Sequence, residues 1–303
     1  MDTNSRLMQQ DSPASTASSA LKLKGFALVL IGMAVYSFDA LLIDLSGASG
    51  SAVAFWRGFF AFLTLGTLFF LRNRNRLPSA IREGGWPMML SGLLWGVSGF
   101  CFSLGVRLAG APVALLLLGT APLMAAIFST ILLHEKPSRI TTIAIILTMG
   151  GIFFMYREGI VSGRLSGTVF AMLTPVASGL NFTALRRHPD TSRIGISMLG
   201  GLFSAFFGLM MSGGAIALPF ASLRYLLLLG CVVLPFGQVM LSNGTRYLTA
   251  PETSLLKSTE IIFGLFYVWL FLGQLPSRDN LIGGLIVLCA ILLHLWGTIR
   301  RIA

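Results

Sequence analysis

The sequence predicts an all-α integral membrane protein with ten transmembrane helices in two inverted five-helix repeats. Three observations predict it. The 303 residues are 55% hydrophobic and only 11% charged, with a mean hydropathy of +0.82, whereas a soluble domain carries about 25% charged residues. Ten apolar stretches of helix-spanning length follow one another with short polar interruptions. Residues 105–139 also align without a gap on residues 244–278.

Residues 1–20 are polar and rich in Ser and Ala, the composition of a disordered tail. The apolar segment after Lys22 and Lys24 is too long for a signal-peptide core and contains Tyr36 and Asp39, so it reads as an uncleaved first span. The ten stretches run approximately 25–43, 52–71, 86–106, 112–133, 140–156, 165–185, 194–218, 223–243, 252–272 and 281–299. A helix needs about 20 residues to cross about 30 Å of hydrocarbon. Gly, Pro and charged residues punctuate the stretches, as in "RNRNRLPSAIREGG", "HEKPSR" and "RRHPDTSR". Helices follow rather than strands, because lipid offers open backbone groups no partner and the runs exceed a barrel strand.

An even number of crossings puts both termini on one side. With the N-terminus inside, the inner segments carry fifteen Lys and Arg residues, while the outer ones carry Arg107, Arg157, Arg164, Arg224 and Arg278. That bias places both termini in the cytoplasm of a multi-pass protein of the cell inner membrane. The net charge of +11 and the run Arg72 to Arg76 belong to the same bias, with contact to anionic lipid as the run's other reading; no nucleic-acid partner is implied. Cys101, Cys231 and Cys289 sit in separate apolar stretches without CxxC spacing, and His134, His188 and His294 form no H-x-x-H pattern. No disulfide, metal site or cofactor is expected. The chain has no Walker motif, no catalytic signature and only short loops, so no catalytic residues and no enzymatic activity are expected.

The repeat gives the stretches an order. "GVRLAGAPVALLLLGTAPLMAAIFSTILLHEKPSR" (105–139) matches "GTRYLTAPETSLLKSTEIIFGLFYVWLFLGQLPSR" (244–278) at Gly-x-Arg, Ala-Pro, Leu-Leu, Thr120 with Thr259, and Pro-Ser-Arg. The first and sixth stretches align as well, with Asp39 of "YSFDALL" opposite Asn181 of "SGLNFTAL". After the tail of 1–20, the halves are 21–157 and 158–303. Five crossings in each half force the halves into opposite orientations, the architecture of secondary transporters.

Ionisable groups inside a membrane are costly and point to function. Lys257 and Glu260 stand three residues apart on one helix face, where each can offset the other's desolvation. Two readings stand: a packing clamp, or a pair facing a central pathway. The second is favoured because the first-half counterparts are Leu118 and Ala121, so the scaffold itself does not need the charges. Asp39 is a substrate or proton site, or else a helix-to-helix hydrogen-bonding group. Arg57, early in the second stretch, is expected to snorkel outward as an anchor. Trp86 and Trp296 read as interfacial residues, and Pro175 and Pro235 as candidate kinks.

Two five-helix halves, each with an Ala-Pro-opened fourth helix, resemble the EamA-type members of the drug/metabolite transporter superfamily. "HEKPS" (134–138) and "GQLPS" (273–277) resemble that family's closing turn, with Gln274 in place of its usual Glu. "YSFDA" (36–40) resembles its first-helix segment, with Tyr36 for Trp and Asp39 for Asn, and "LLKSTEIIFG" its ninth helix, where Glu260 is common and Lys257 is not. The resemblance implies that Tyr36, Trp95, Ser98, Phe102 and Gln238 lie on cavity-lining spans, with Asn181 at the repeat counterpart of Asp39. It further implies a secondary active transporter working by alternating access. Such a protein exports small metabolites such as amino acids, with a small-molecule substrate, the lipid bilayer and protons as the coupling ion for partners. Lys257 would meet a substrate carboxylate, with aromatic surface from Tyr36, Trp95 and Phe102. Uptake of a cationic or nucleoside-like metabolite drawn to Asp39 and Glu260 is the alternative. An intramembrane enzyme is a distant third, since the loops supply no catalytic cluster.

Overall fold

Apolar backbone without water must bond within its own segment, and each apolar stretch accordingly folds as helix. The computed structural model of the protein describes residues 13–74, 76–134, 139–161, 163–248 and 250–299. The first stretch is α1 (Pro13–Tyr36) and α2 (Phe38–Leu45), separated at Ser37, and α1 begins inside the segment expected as a tail. Then come α3 (Gly50–Arg72) and α4 (Leu77–Ala109), the latter broken at Gly85. The fourth stretch is again split, into α5 (Ala111–Leu118) and α6 (Ala121–Leu132), and α7 (Arg139–Val161) closes the half. The second half runs α8 (Leu165–Arg187), α9 (Arg193–Ser212), α10 (Phe220–Leu228), a π turn (Leu229–Val233), α11 (Leu234–Gly244), α12 (Ala250–Leu272) and α13 (Arg278–Ile299).

Seven helical stretches among the described residues are long and apolar enough to cross a membrane: Leu21–Leu45, Gly50–Arg72, Ile81–Ala109, Ala111–Leu132, Leu165–Arg187, Arg193–Ser212 and Phe220–Gly244. The other three expected stretches form α7, α12 and α13, which are 23, 23 and 22 residues long. The all-helical, multi-pass class is therefore observed. Large apolar side chains such as Ile146, Phe153, Phe206 and Met210 face outward, as lipid contact requires. Trp86 is 74% exposed near the break in α4. The "HEKPS" turn falls mostly at 135–138, outside the described residues, as does the side chain of Trp296.

The proline expectations divide. α8 continues through Pro175. Pro235, in the first turn of α11, lacks the N–H that an α-ladder needs. The chain accommodates it with the preceding π turn, in which Leu234 N–H bonds the Leu229 carbonyl.

Packing follows small residues rather than bulk, as helices in lipid do. α3 lies on α9, and α4 on both α8 and α9. α1 lies on α11 and α12, α6 on α8, and α7 on α13. Exchanging each helix for its counterpart in the other half turns α4·α8 into α11·α1 and α6·α8 into α12·α1, and returns α3·α9 and α7·α13 to themselves. The α3·α9 crossing is reciprocal in detail. A methyl group at Gly58 would stand 2.5 Å from the Gly201 carbonyl oxygen, and one at Gly201 would stand 2.7 Å from the Gly58 carbonyl oxygen. Likewise Gly105 is pressed on Ala171 while its repeat counterpart Gly244 is pressed on Val29, the counterpart of Ala171. The main core lies between these pairs, built from Ala40 to Ile43, Val53, Phe102, Leu115 to Leu117, Leu229 and Val268.

Neither glycine at the reciprocal crossing has room for a side chain against backbone. We expect Gly58→Ala and Gly201→Ala each to lower stability by about 1–3 kcal/mol, the usual cost of overpacking. Gly150→Ala, where a methyl would meet nothing within 4 Å, should be neutral or better. Thermal unfolding in detergent, followed by size exclusion, compares the three.

Candidate functional site

The centre of the molecule is organised by the interruption between α1 and α2. The Ser37 hydroxyl turns back to the Met33 carbonyl at 2.6 Å and also reaches the Glu260 carbonyl at 3.0 Å, which ties the break to α12. Side-chain back-bonding of this type bends helices. The break starts a new helix in mid-span and places Asp39 in its first turn, where the helix dipole favours a carboxylate.

Asp39 is 4% exposed and is met by Arg57 from α3, itself 8% exposed. The guanidinium binds it in two-pronged fashion: Nε donates to Oδ1 at 2.9 Å, and Nη2 donates to Oδ2. Planar fork-to-carboxylate geometry is the strongest form of this contact. Gly99 of α4 makes room, because a methyl there would stand 2.9 Å from Arg57 Nη1. The expectation that Arg57 snorkels to the surface is therefore corrected. A buried carboxylate one helix away outcompetes the distant interface, since each charge removes the other's desolvation penalty.

Glu260 on α12 is 8% exposed. Its carboxylate interacts through space with Lys257, Asp39 and Arg57, and Tyr36 shares the field of Arg57, Asp39 and Glu260. Among the described residues no ion pair joins Lys257 to Glu260; those present are Arg57–Asp39 and Arg107–Asp44. The Lys257 ammonium lies instead over two rings, 5.1 Å from the centroid of Trp95 on α4 and 4.3 Å from that of Phe182 on α8. Such contacts contribute about 2 kcal/mol or more when desolvated. Next to Phe182, Asn181 is 2% exposed, and its Oδ1 has no hydrogen-bond partner among the described residues. An orphan buried acceptor needs an explanation.

The remaining expected residues divide. Ser98, one turn beyond Trp95, bonds Ser178 Oγ at 2.7 Å and the Thr174 carbonyl at 3.2 Å, stitching α4 to α8. Phe102 is buried in the main core against α2 and serves packing. Gln238 is half-buried on α11, one residue beyond Gly237, which is pressed on Tyr36. The structure thus gathers Tyr36, Asp39, Glu260 and Arg57 in one charged centre and sets Lys257, Trp95, Phe182 and Asn181 beside it. Sequence reasoning missed the roles of Arg57 and Phe182. Charge balance could have found the first: two acids and two bases inside the spans must find partners. Phe182 carries no comparable signal, since its first-half counterpart is Ala40.

The EamA-like transporter family matches the chain twice, over residues 23–157 and 159–296. A solved structure described only as "Crystal structure of protein" is similar in fold, with 16% sequence identity and a TM-score of 0.61. The match covers 91% of this chain and 97% of that one. Among curated proteins the comparison found no match.

Removing one member of the buried pair strands the other. Arg57→Met or Asp39→Leu alone should cost about 3–5 kcal/mol, whereas the double variant Arg57→Met/Asp39→Leu should recover most of that loss. A double-mutant cycle on thermal unfolding in detergent measures it; additive losses would show that the two groups are not coupled.

Proposed function

The chain belongs to the EamA-like transporter family, a family of membrane transporters of small molecules, and we propose that it exports zwitterionic metabolites, amino acids or close relatives, by alternating access. The observation that carries this reading is on α12. Asp39 and Arg57 satisfy each other by a two-pronged contact, while Lys257 and Glu260, three residues apart, are joined by no ion pair and leave one cation and one anion for a ligand. A zwitterion brings the complementary two: a carboxylate for Lys257 and an ammonium for Glu260, with Asn181 Oδ1 as a further acceptor. The rings of Trp95 and Phe182, over which Lys257 lies, would then receive the apolar part of the substrate.

The scaffold of this reading is ten crossings in two inverted halves of five, with both termini cytoplasmic in the inner membrane. It is supported by the two family matches, the reciprocal Gly58–Gly201 crossing and the exchange-symmetric helix pairs. Protons are the coupling ion, at Glu260. One carboxylate cannot hold a proton and a substrate ammonium at once, so the two exclude each other and can be exchanged. Uptake of a cationic metabolite is the second reading; it needs Glu260 but gives Lys257 no role, and a half-buried ammonium beside the site opposes a cation.

The test is flux of labelled amino acids and organic cations into liposomes holding the purified protein, with and without a pH gradient. Lys257→Met should raise KM for a carboxylate-bearing solute about tenfold to hundredfold, the loss of a hydrogen bond to a charged group. Unimpaired transport of amino acids by that variant would take Lys257 out of substrate binding, and a gain for cations alone would favour the uptake reading.

Coupling is examined separately. Glu260→Gln should abolish the dependence of flux on the pH gradient. The double variant Lys257→Met/Glu260→Leu should fold, since apolar replacement of buried charges is often neutral or stabilising, yet carry nothing. Full activity of the double variant would reduce both residues to packing.

A further inference from the structure

We propose that Asp44, Arg107 and Gln274 form a latch that holds one end of the transport pathway closed, an assignment that rests on the transport reading above. Asp44, in the last turn of α2, is where three segments meet. Its Oδ1 accepts from Arg107 Nη1 at 2.8 Å, and its Oδ2 accepts from Gln274 Nε2 at 2.6 Å. Arg107, near the end of α4, also donates from Nε to the Ala48 carbonyl at 2.7 Å, and Gln274 lies two residues past the end of α12. One carboxylate thereby clamps the ends of α2, α4 and α12. On the same helices Phe38, next to Asp39, stacks on Tyr267 at 4.2 Å, and Tyr267, midway between Glu260 and Gln274 in the chain, stacks on Phe263 at 6.2 Å. Gln274 suits the role: an ionised Glu there would repel Asp44, whereas the amide donates to it.

The opposite end is built differently. A cavity of about 190 Å³, lined in part by Arg72, Arg193 and Ser242, opens there, and Arg193 interacts through space with Lys257. The repeat sets Arg186 opposite Asp44 and Arg246 opposite Arg107, so the same pair of positions holds two cations and cannot form the same bond. Arg246 is exposed, whereas the side chain of Arg107 is 23% exposed. The counterpart of Gln274, Glu135, lies outside the described residues.

A second asymmetry shows what the latch restrains. A methyl at Gly96 would meet Phe203 Cβ at 2.5 Å and the Gly200 carbonyl at 2.9 Å; one at Gly230 would meet Phe60 Cβ at 2.5 Å and the Arg57 carbonyl at 2.9 Å. The offset that relates Gly58 to Gly201 relates these two contacts, so they are the same crossing in the two halves. Carried toward the chain start beyond residues 105 and 244, however, the repeat offset sets Gly96 opposite Pro235 and Gly230 opposite Ser91, five positions away in each case. The π turn accounts for one residue, and the other four are about one helical turn. Contacts within the pairs stay in register, since Ser98 on Ser178 corresponds to Gly237 on Tyr36. The α4·α8 and α1·α11 pairs are therefore like units seated at heights one turn apart on α3·α9. Exchanging the heights gives the second state, and one-turn ratchets between packed helices are an established form of switching. The latch ties α4 of one unit to α2 and α12, so it must break for the exchange.

A cysteine reporter at the buried Ser37, 1% exposed, tests the latch without any knowledge of the substrate. Ser37→Cys is placed in a background carrying Cys101→Ser, Cys231→Ser and Cys289→Ser and is challenged from the latch side with a membrane-impermeant maleimide. The parent should be protected, and Asp44→Ala or Arg107→Ala should speed labelling about tenfold as the open state becomes populated. Arg164→Ala, at an exposed helix start, should change nothing. Rapid labelling of the parent, or equal protection in folded Asp44→Ala and Arg107→Ala, overturns the proposal. Should both fail to fold, Asp44→Cys/Gln274→Cys bridged by a short reducible bis-thiosulfonate decides: flux should stop on bridging and return on reduction, and undiminished flux in the bridged protein overturns the latch. Absence of flux in the unmodified parent counts against the transport reading instead, and the labelling comparison still decides the latch.

Discussion

The two-pronged bond between Arg57 and Asp39 is the constraint on which the rest of the centre depends. Both groups are nearly inaccessible, and a lone charge at such depth would carry several kcal/mol of desolvation penalty. Each is tolerable only beside the other, so the pair fixes α2 against α3 and requires the small residue at Gly99 that admits the guanidinium. With these two charges paired, the half-buried Lys257 lies over the Trp95 and Phe182 rings and the buried Glu260 stands outside any ion pair among the described residues. Four charges thus divide into one closed pair and two groups outside it, and the proposed binding of a zwitterion rests on that division.

Interrupted helices make that division geometrically feasible. Departures from the regular hydrogen-bond ladder at membrane depth are tolerated where protein surrounds them, and here they occur at Ser37, between α5 and α6, and at the π turn before Pro235, with the backbone of Ser37, Gly119 and Thr120 still in the helical region. The break at Ser37 provides a helix start in mid-span for Asp39 and a hydroxyl that reaches the backbone of α12. Secondary transporters commonly place substrate sites at such discontinuous helices near the midplane. The π turn serves a second purpose, since it shifts the register of one half relative to the other by a residue.

The two halves agree in how their helices pair and disagree in how those pairs are seated. The agreement lies in small-residue crossings, where backbone meets backbone and little adjustment is available. The disagreement is a shift of about one turn, the natural step of ridges sliding through grooves. In the proposed latch, two like units on a reciprocal central pair have a second arrangement with the heights exchanged. Polar contacts at the ends, present at Asp44 and replaced by arginines at the other, choose between them.

The sequence by itself determined the membrane class, the succession of apolar helices and the presence of charges within the spans. These properties follow from composition, length and periodicity, which local physics converts directly into helix and burial. It also singled out Lys257, Glu260, Asp39, Trp95 and Asn181 as residues with a reason to face inward. Which charge meets which was left to the tertiary structure, because partners eighteen residues apart, such as Arg57 and Asp39, or on different helices, such as Lys257 and Phe182, are set by helix rotation and crossing height. Local pattern carries neither quantity. For the same reason a pair three apart on one helix, placed to bond by sequence spacing, instead lets its lysine turn to the rings of two neighbouring helices. In a protein interior the nearest favourable surface in space outranks the nearest partner in sequence.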